Sequence, residues 1–354
     1  MRPKRFGDLT KKYRGLRIAV VGDFCLDRYL EIDPLKQEIS IETGLAVHNV
    51  LNVRSQPGAA GTVLNNLVAL GIGTIYPVGF CGQDGEGMEL EAALQKLPGV
   101  ALDYFFCSPQ RRTFTYTKPL VMRPGKPPRE LNRLDMKNWT PTPAGVRRKV
   151  VEAVRSLASK VDAVIVLDQV RLPETGVVTR EVMAALGALA RTRPGLPVLA
   201  DSRERLRDFP PLILKMNRAE LGKFVRGRRV QNVKGIQQLA CQLAARNRHP
   251  VFVTLAEEGI VGALPSGECA HVPTFPIRGP IDIVGAGDSV TANLVAGLAA
   301  GASLSEALEL ANAAASIVIH KLGTTGTASL RELRPFAAAD GGTLDARRGS
   351  PRRP

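Results

Sequence analysis

From Leu16 to about residue 330 the chain alternates short β-rich runs with longer helical stretches, and this alternation constrains its fold more than any other feature. Runs at 17–23, 75–80, 163–168, 197–201, 212–217 and 251–255 include near-continuous apolar segments such as RIAVV and AVIVL. Helical candidates at 62–70, 145–160, 179–193 and 234–246 lie between them. Strands joined by helical crossovers pair in parallel and are covered on both faces, so an α/β fold with a mostly parallel central sheet is expected. Two stretches depart from that rhythm. Residues 28–54 and 111–123, the latter containing TFTYTKPLVM, read as extended strands that form a small separate sheet or lid, and 123–128 (RPGKPP) reads as a loop from its Pro and Gly.

Several runs end in polar residues, namely Asp23, Asp168, Asp201, Asn217 and Thr254. Ligands of open α/β sheets bind beyond the carboxyl ends of the strands, so these residues are expected to line one crevice. Any one of them could equally be a cap of the following helix.

Charge and cysteine content narrow the function classes. The formal net charge is +15, of which residues 1–17 supply +6 and residues 343–354 supply +3. An excess held in two ends expected to be mobile suits solubility or weak, salt-sensitive contact with polyanions rather than specific nucleic-acid binding. The 5 cysteines are scattered, odd in number and without a CxxC pair, which argues against a disulfide framework or structural zinc and fits a reducing cytoplasm. The apolar stretch 18–21 is too short for a signal peptide, and no run of about 18 apolar residues suggests a membrane span.

The most informative motif is DIVGAGDSV at 282–290, followed by an apolar helix. Gly285 and Gly287 allow backbone N–H groups, with that of Ala286 between them, to converge at a helix N-terminus, where the macrodipole favours phosphate or a developing negative charge. Asp288 beside such an anion hole suits proton removal from a hydroxyl that attacks phosphorus. A Gly-rich turn with an Asp near a helix start remains the simpler alternative. The next helix opens with Ser303 and Glu306 in a capping pattern and carries Asn312, which is either a satisfied core amide or a contact to a nucleotide base. P-loop, dinucleotide-binding, HExxH and nucleophile-elbow motifs are missing.

With these segments, the chain resembles the ribokinase-like, or PfkB, carbohydrate kinases. VVGDFCLDRYL, NRLD, PVLADS, KMNRAE, VFVTLAEEG and NAAASIVIHKLGTTG are similar, in order, to the heptose 7-phosphate kinase branch, which is the kinase half of the bifunctional ADP-heptose synthesis proteins. The resemblance implies a three-layer α/β/α sandwich with a β lid, organised as a basic extension (1–15), a kinase domain (16–335) and a disordered basic tail (336–354). It implies Asp288 as general base and Gly285, Ala286 and Gly287 as the anion hole. Asn217 and Glu220, with Arg218 and Ala219 between them, match the NxxE motif that organises Mg²⁺ and the phosphates of ATP, largely through water. Thr254, Gly259 and Asn312 fall where the family contacts the nucleotide, and Asp282 lies in the region that binds a monovalent cation such as K⁺ in many members.

On the sugar side the resemblance implies Asp23, Asp27, Gly58, Thr62, Asn66, Arg133 and Asp168. One departure stands out: the family's GGAAN reads Gly58-Ala59-Ala60-Gly61-Thr62, with Ala59 for a Gly and Thr62 for the Asn. The lid segment 39–44 (ISIETG) also lacks the Pro common in the heptose branch. These departures bear on the identity of the sugar. The expected activity is phosphorylation of a sugar or sugar phosphate, with heptose 7-phosphate leading and fructose-type sugars or nucleosides behind. A silent sugar or nucleotide sensor is the rival. If the acceptor carries a phosphate, Arg133, Arg203 and Lys215 are candidates to meet it. Exposed lid strands make a homodimer the expected assembly. No HxGH motif of the nucleotidyltransferase half occurs.

Overall fold

The computed structural model describes residues 1–225, 232–323 and 325–338. Ten α-helices occur among them: α1 (Pro3–Lys12), α2 (Ala60–Ala69), α3 (Gly85–Gln95), α4 (Ala144–Leu157), α5 (Arg180–Thr192), α6 (Arg218–Phe224), α7 (Val233–Asn247), α8 (Ala286–Ala299), α9 (Leu304–Val318) and α10 (Leu330–Ala338). The central sheet is built from β1 (Arg17–Gly22), β6 (Thr74–Gly82), β7 (Phe105–Ser108), β11 (Ala163–Asp168), β12 (Val198–Ser202), β13 (Ile213–Asn217), β14 (Val251–Thr254), β15 (Ile260–Ala263) and β16 (Cys269–Val272). Their order is β16-β15-β14-β13-β12-β11-β1-β6-β7, and all neighbours are parallel except β14–β15 and β15–β16. Strand β1 shows why: Ile18 and Val20 join the core on one face and Ala19 and Val21 the core on the other. The first core takes α1, α2, α3, α8, α9 and α10, and the second takes α4, α5, α6 and α7, giving the three α/β/α layers.

A smaller sheet crosses one end, formed by β2 (Phe24–Ile32), β5 (Val50–Ala59), β8 (Phe114–Arg123), β9 (Lys126–Glu130) and β10 (Leu134–Met136), with the ribbon β3 (Glu38–Ile39) and β4 (Ala46–Val47) beside it. One residue, Asp23, separates β1 from β2, so the chain passes directly from the central sheet into the lid. Residues 126–128 of the expected loop 123–128 instead begin β9, which pairs antiparallel with β8. Pro127 and Pro128 are tolerated because this strand is at an edge, where a missing N–H breaks no ladder.

The N-terminal segment also differs from expectation. Phe6, Leu9 and Tyr13 recur at helical spacing and are buried in the first core, so residues 1–15 are a docked element and not a loose extension. Its charges are used in docking: Arg5 pairs with Glu306 at 2.7 Å, and the Lys12 ammonium donates to the Ala300 carbonyl at the C-terminus of α8 at 2.7 Å. At the other end, residues 336–338 belong to α10, and Phe336 packs edge-on against Phe275 with ring centroids 4.7 Å apart. The rest of the expected tail, 339–354, lies outside the described residues. Among the described residues no helix is long and apolar enough to cross a membrane.

Candidate active site

The start of α8 is shaped by Gly285, whose φ of +84° places it in the left-handed region. A Cβ there would lie 2.5 Å from the Thr325 methyl group, so both conformation and space call for glycine. No side chain caps the helix. The Ala286 amide is closed on the Ile283 carbonyl at 3.2 Å, whereas those of Gly285, Gly287 and Asp288 have no acceptor among the described residues. The open amides therefore differ from the three consecutive ones expected from sequence: Ala286 is not among them, and Asp288 joins Gly285 and Gly287. Burial within the cleft pushes the Asp288 carboxyl up to about 7; Lys215 and Arg203 oppose that rise, and Asp201 and Asp27 reinforce it.

Strand ends supply the next layer. The buried Lys215 ammonium donates to Asp201 Oδ2 at 2.7 Å, and Thr291 on α8 donates to the same oxygen at 2.9 Å. Burial works against the Lys215 charge, but Asp201 and Asp288 outweigh it and hold its pKa above the ordinary value. Its Nζ would lie 3.2 Å from a Cβ on Gly287, which places a cation beside the open amides. Asn217 caps α6 in a reciprocal pair: its Oδ1 accepts the Glu220 N–H at 2.9 Å, and Glu220 Oε2 accepts the Asn217 N–H at 2.7 Å. Glu220 lines the cleft, and burial raises its pKa.

The lid closes the other side. Asp27 on β2 is 8% exposed and 3.8 Å from the Lys118 ammonium. Tyr116 and Lys118 alternate along β8 and therefore share its cleft face. Arg133 forms a two-pronged pair with Asp135 at 2.6 and 2.9 Å and sits over the Tyr116 ring. The resulting cleft, about 1330 Å³, brings together Asp27, Thr62, Arg133, Asp168, Asn217, Ala219, Glu220, Gly285, Gly287 and Asp288.

Other expected residues have structural roles. Asp23 is 1% exposed and not at the cleft; it accepts N–H groups from Val177, Gln169 and Val170 at 2.7, 2.9 and 3.1 Å. Burial and the Asp168 charge push its pKa up to about 6 despite those donors. Asp168 touches the cleft, but its oxygens are taken by Arg205 at 3.2 Å and Ser202 at 2.6 Å, so it anchors the loop after β12. Asn66 is fully buried in α2 and donates to the Thr62 carbonyl at 2.9 Å. Gly58 supports Asp27 from beneath, since a Cβ would lie 2.8 Å from Asp27 Oδ2.

On the nucleotide side, Asn312 donates to the Pro273 carbonyl at 2.7 Å, and Gly259, at φ +93°, fills a tight turn against Val272. Thr254 is Asn217's partner on β14, and Arg218 pairs with Glu258; Asn312, Gly259, Thr254 and Arg218 do not line the cleft. Asp282 Oδ1 accepts the Val284 N–H in the turn before α8. Among the described residues no group of three or more His, Cys, Asp or Glu side chains is placed to hold a metal ion.

Sequence reasoning missed Tyr116, Lys118 and Trp139, all at the cleft. The period-2 pattern of TFTYTK carried the first two. Trp139 is the only tryptophan and is 73% exposed at the cleft, a signal in a chain with 5% aromatic residues.

Residues 17–330 match the model of the pfkB family carbohydrate kinases. The chain belongs to that family. Its curated relatives include the "Bifunctional protein HldE" of Pelobacter propionicus, 31% identical over 340 residues, covering 95% of this chain and 66% of that protein. HldE of Bradyrhizobium sp. is 31% identical over 339 residues, covering 94% of this chain and 66% of the relative. The chain thus spans just under two thirds of the bifunctional proteins it matches. Among solved structures, Escherichia coli phosphofructokinase-2 in complex with substrates and products superposes with a TM-score of 0.70 at 20% identity, covering 91% of this chain and 98% of that one. Arabidopsis thaliana ribokinase complexed with ribose and ATP gives 0.64 at 21% identity, covering 91% and 97%. These neighbours share the fold, a ribokinase-like α/β sandwich. PfkB kinases are phosphotransferases that act on sugar hydroxyls.

Proposed function

We propose that the chain transfers the γ-phosphoryl group of ATP to a hydroxyl of a sugar or sugar phosphate, with heptose 7-phosphate as the leading acceptor. The observation that carries this reading is the Asp288 carboxyl, with its pKa near 7, beside open amides at the start of α8 and facing the lid. Asp288 takes the proton of the acceptor hydroxyl, whose oxygen then attacks the γ-phosphorus as ADP departs. The Gly285 and Gly287 amides and the Lys215 ammonium offset charge on the transferring group. Asp27 and Thr62 accept or donate hydrogen bonds to sugar hydroxyls. Mg²⁺ would neutralise phosphate charge, with Glu220 and Asn217 holding its water shell. Asp282 and neighbouring carbonyls would hold a monovalent cation.

The HldE name of the relatives supports the heptose acceptor, and Thr62 in place of the family Asn argues for testing fructose phosphates, free hexoses, ribose and nucleosides beside it. The test is ATP turnover by the wild type and Asp288→Asn across that panel. Turnover with one acceptor that collapses in the variant supports the reading; binding without turnover in the wild type would replace it with a sensor. The lid presents Ile39, Ile41, Leu45, Leu51 and Val53 at 51–99% exposure, and we propose that a second copy covers them. Light scattering of the wild type and Ile41→Glu checks this, with a monomeric wild type as the refuting result.

A further inference from the structure

A cleft that takes a phosphorylated acceptor needs a cation free to meet that phosphate, and most of its cations are already committed. Lys215 is bound to Asp201, and Lys118 lies beside Asp27. Arg133 and Lys137 share Asp135 at 2.6 and 2.9 Å. Arg171 and Lys223 share Glu204 at 3.9 and 3.0 Å. Arg203 also lines the cleft, is exposed there, and has no side-chain hydrogen bond or ion pair among the described residues.

Its backbone, in contrast, is held firmly. The Arg203 N–H donates to the Asp168 carbonyl at 3.4 Å. On one side Ser202 Oγ donates to Asp168 at 2.6 Å and accepts the Arg205 N–H at 3.0 Å. On the other, the Arg205 guanidinium is buried against Asp168 and donates to the Val178 carbonyl at 3.0 Å. A free side chain on a fixed backbone is a preorganised donor, and a planar guanidinium matches phosphate in a way a lysine does not. The Arg203 charge is felt by Asp27 and Tyr116 in the lid and by Asp288 and Glu220 across from it, so it acts on the cleft that these groups share.

We infer that Arg203 is the specificity-determining residue that recognises the phosphate already carried by the acceptor. The inference rests on the kinase reading above and deepens it, since it makes an anionic sugar phosphate the substrate class and assigns its recognition to one side chain outside the phosphoryl-transfer machinery. Neutral hexoses and nucleosides would leave the guanidinium without a partner.

The experiment compares wild type, Arg203→Met and Arg203→Lys with heptose 7-phosphate and the unphosphorylated heptose, by steady-state turnover and by calorimetric binding without ATP. At about pH 9, where Asp288 is ionised with or without the Arg203 charge, loss of one charged contact should raise KM and weaken binding of the phosphorylated sugar by about 10- to 100-fold in Arg203→Met, with kcat changed little. Binding of the unphosphorylated sugar should be unchanged, and Arg203→Lys should recover part of the loss. An equal loss on both sugars, carried in kcat, would overturn the inference and assign Arg203 to the transferring group; so would a variant indistinguishable from wild type. A wild type that phosphorylates the free heptose as well as its phosphate keeps the kinase reading and sinks this one. A wild type that binds the phosphorylated sugar through Arg203 without transfer keeps this one and sinks the kinase reading. Failure of the wild type to bind either sugar overturns the inference.

Discussion

Replacing Asp23 by alanine separates a structural role from a sugar-binding one. The carboxylate accepts three backbone N–H groups from the segment 169–177 after β11, and the side chain is 1% exposed. Removing it orphans those donors at about 1–3 kcal/mol each, about 6 kcal/mol together at the middle of that range. Against this, the wild type bears the cost of an acid whose pKa rises from 3.8 to about 6, worth about 3 kcal/mol once the group is ionised. The net expectation is a loss of about 3 kcal/mol at pH 7.5, read as a shift in urea midpoint with unchanged slope. The sign of the pH dependence follows from the raised folded pKa: the folded state holds the proton more tightly, so the wild type's advantage falls as pH rises from about 4 to 6. The deficit of Asp23→Ala is therefore larger at pH 5 than at 7.5. Acceptor KM should stay within about twofold of wild type, because the side chain does not reach the cleft. A variant as stable as wild type whose acceptor KM rises tenfold would refute the reasoning and return Asp23 to the sugar site.

Further expectations are as direct. Because Asp288 must be ionised to act, kcat/KM should climb about tenfold per pH unit below 7 and level off above it, and Asp288→Asn should lose about 10²- to 10⁴-fold in kcat. Arg205→Met strands the buried Asp168 carboxylate and should cost about 3–5 kcal/mol in chemical denaturation, while turnover of the folded fraction persists. Ala59 has φ +52° and ψ −114°, a conformation that suits glycine, so Ala59→Gly should relieve strain and raise stability by about 1 kcal/mol in a thermal melt after its own entropic cost. A fall in melting temperature would show that the Ala59 methyl group earns its place through packing.

How much of this was legible in the sequence depends on how local each cause is. The alternation of apolar runs and helical stretches produced the parallel sheet at nearly the expected positions, because period and propensity act over a few residues. The start of α8 was equally readable, since Gly285 of GAGD is required by the left-handed backbone conformation at that point. Similar motifs in the same order gave the family, which the match over residues 17–330 bears out. The two proline residues of RPGKPP misled because edge pairing spares the missing donors, which depends on a partner strand.

Roles at the site were another matter. Asp23 and Asp201 look alike as acids at strand ends, yet the first meets amides from a segment more than 140 residues away and the second holds the Lys215 ammonium at the cleft. Arg203 and Arg205 are two residues apart; Asp168 captures the second and leaves the first facing open space. The basic N-terminus likewise became a packed helix because the core opposite it accepts Phe6, Leu9 and Tyr13. By itself, the sequence determined the fold class, the glycine turn at the start of α8 and the family. Only the tertiary structure decided which of the similar side chains are consumed by long-range partners and which remain free to meet a ligand, because a charge's role is set by the groups that burial brings against it.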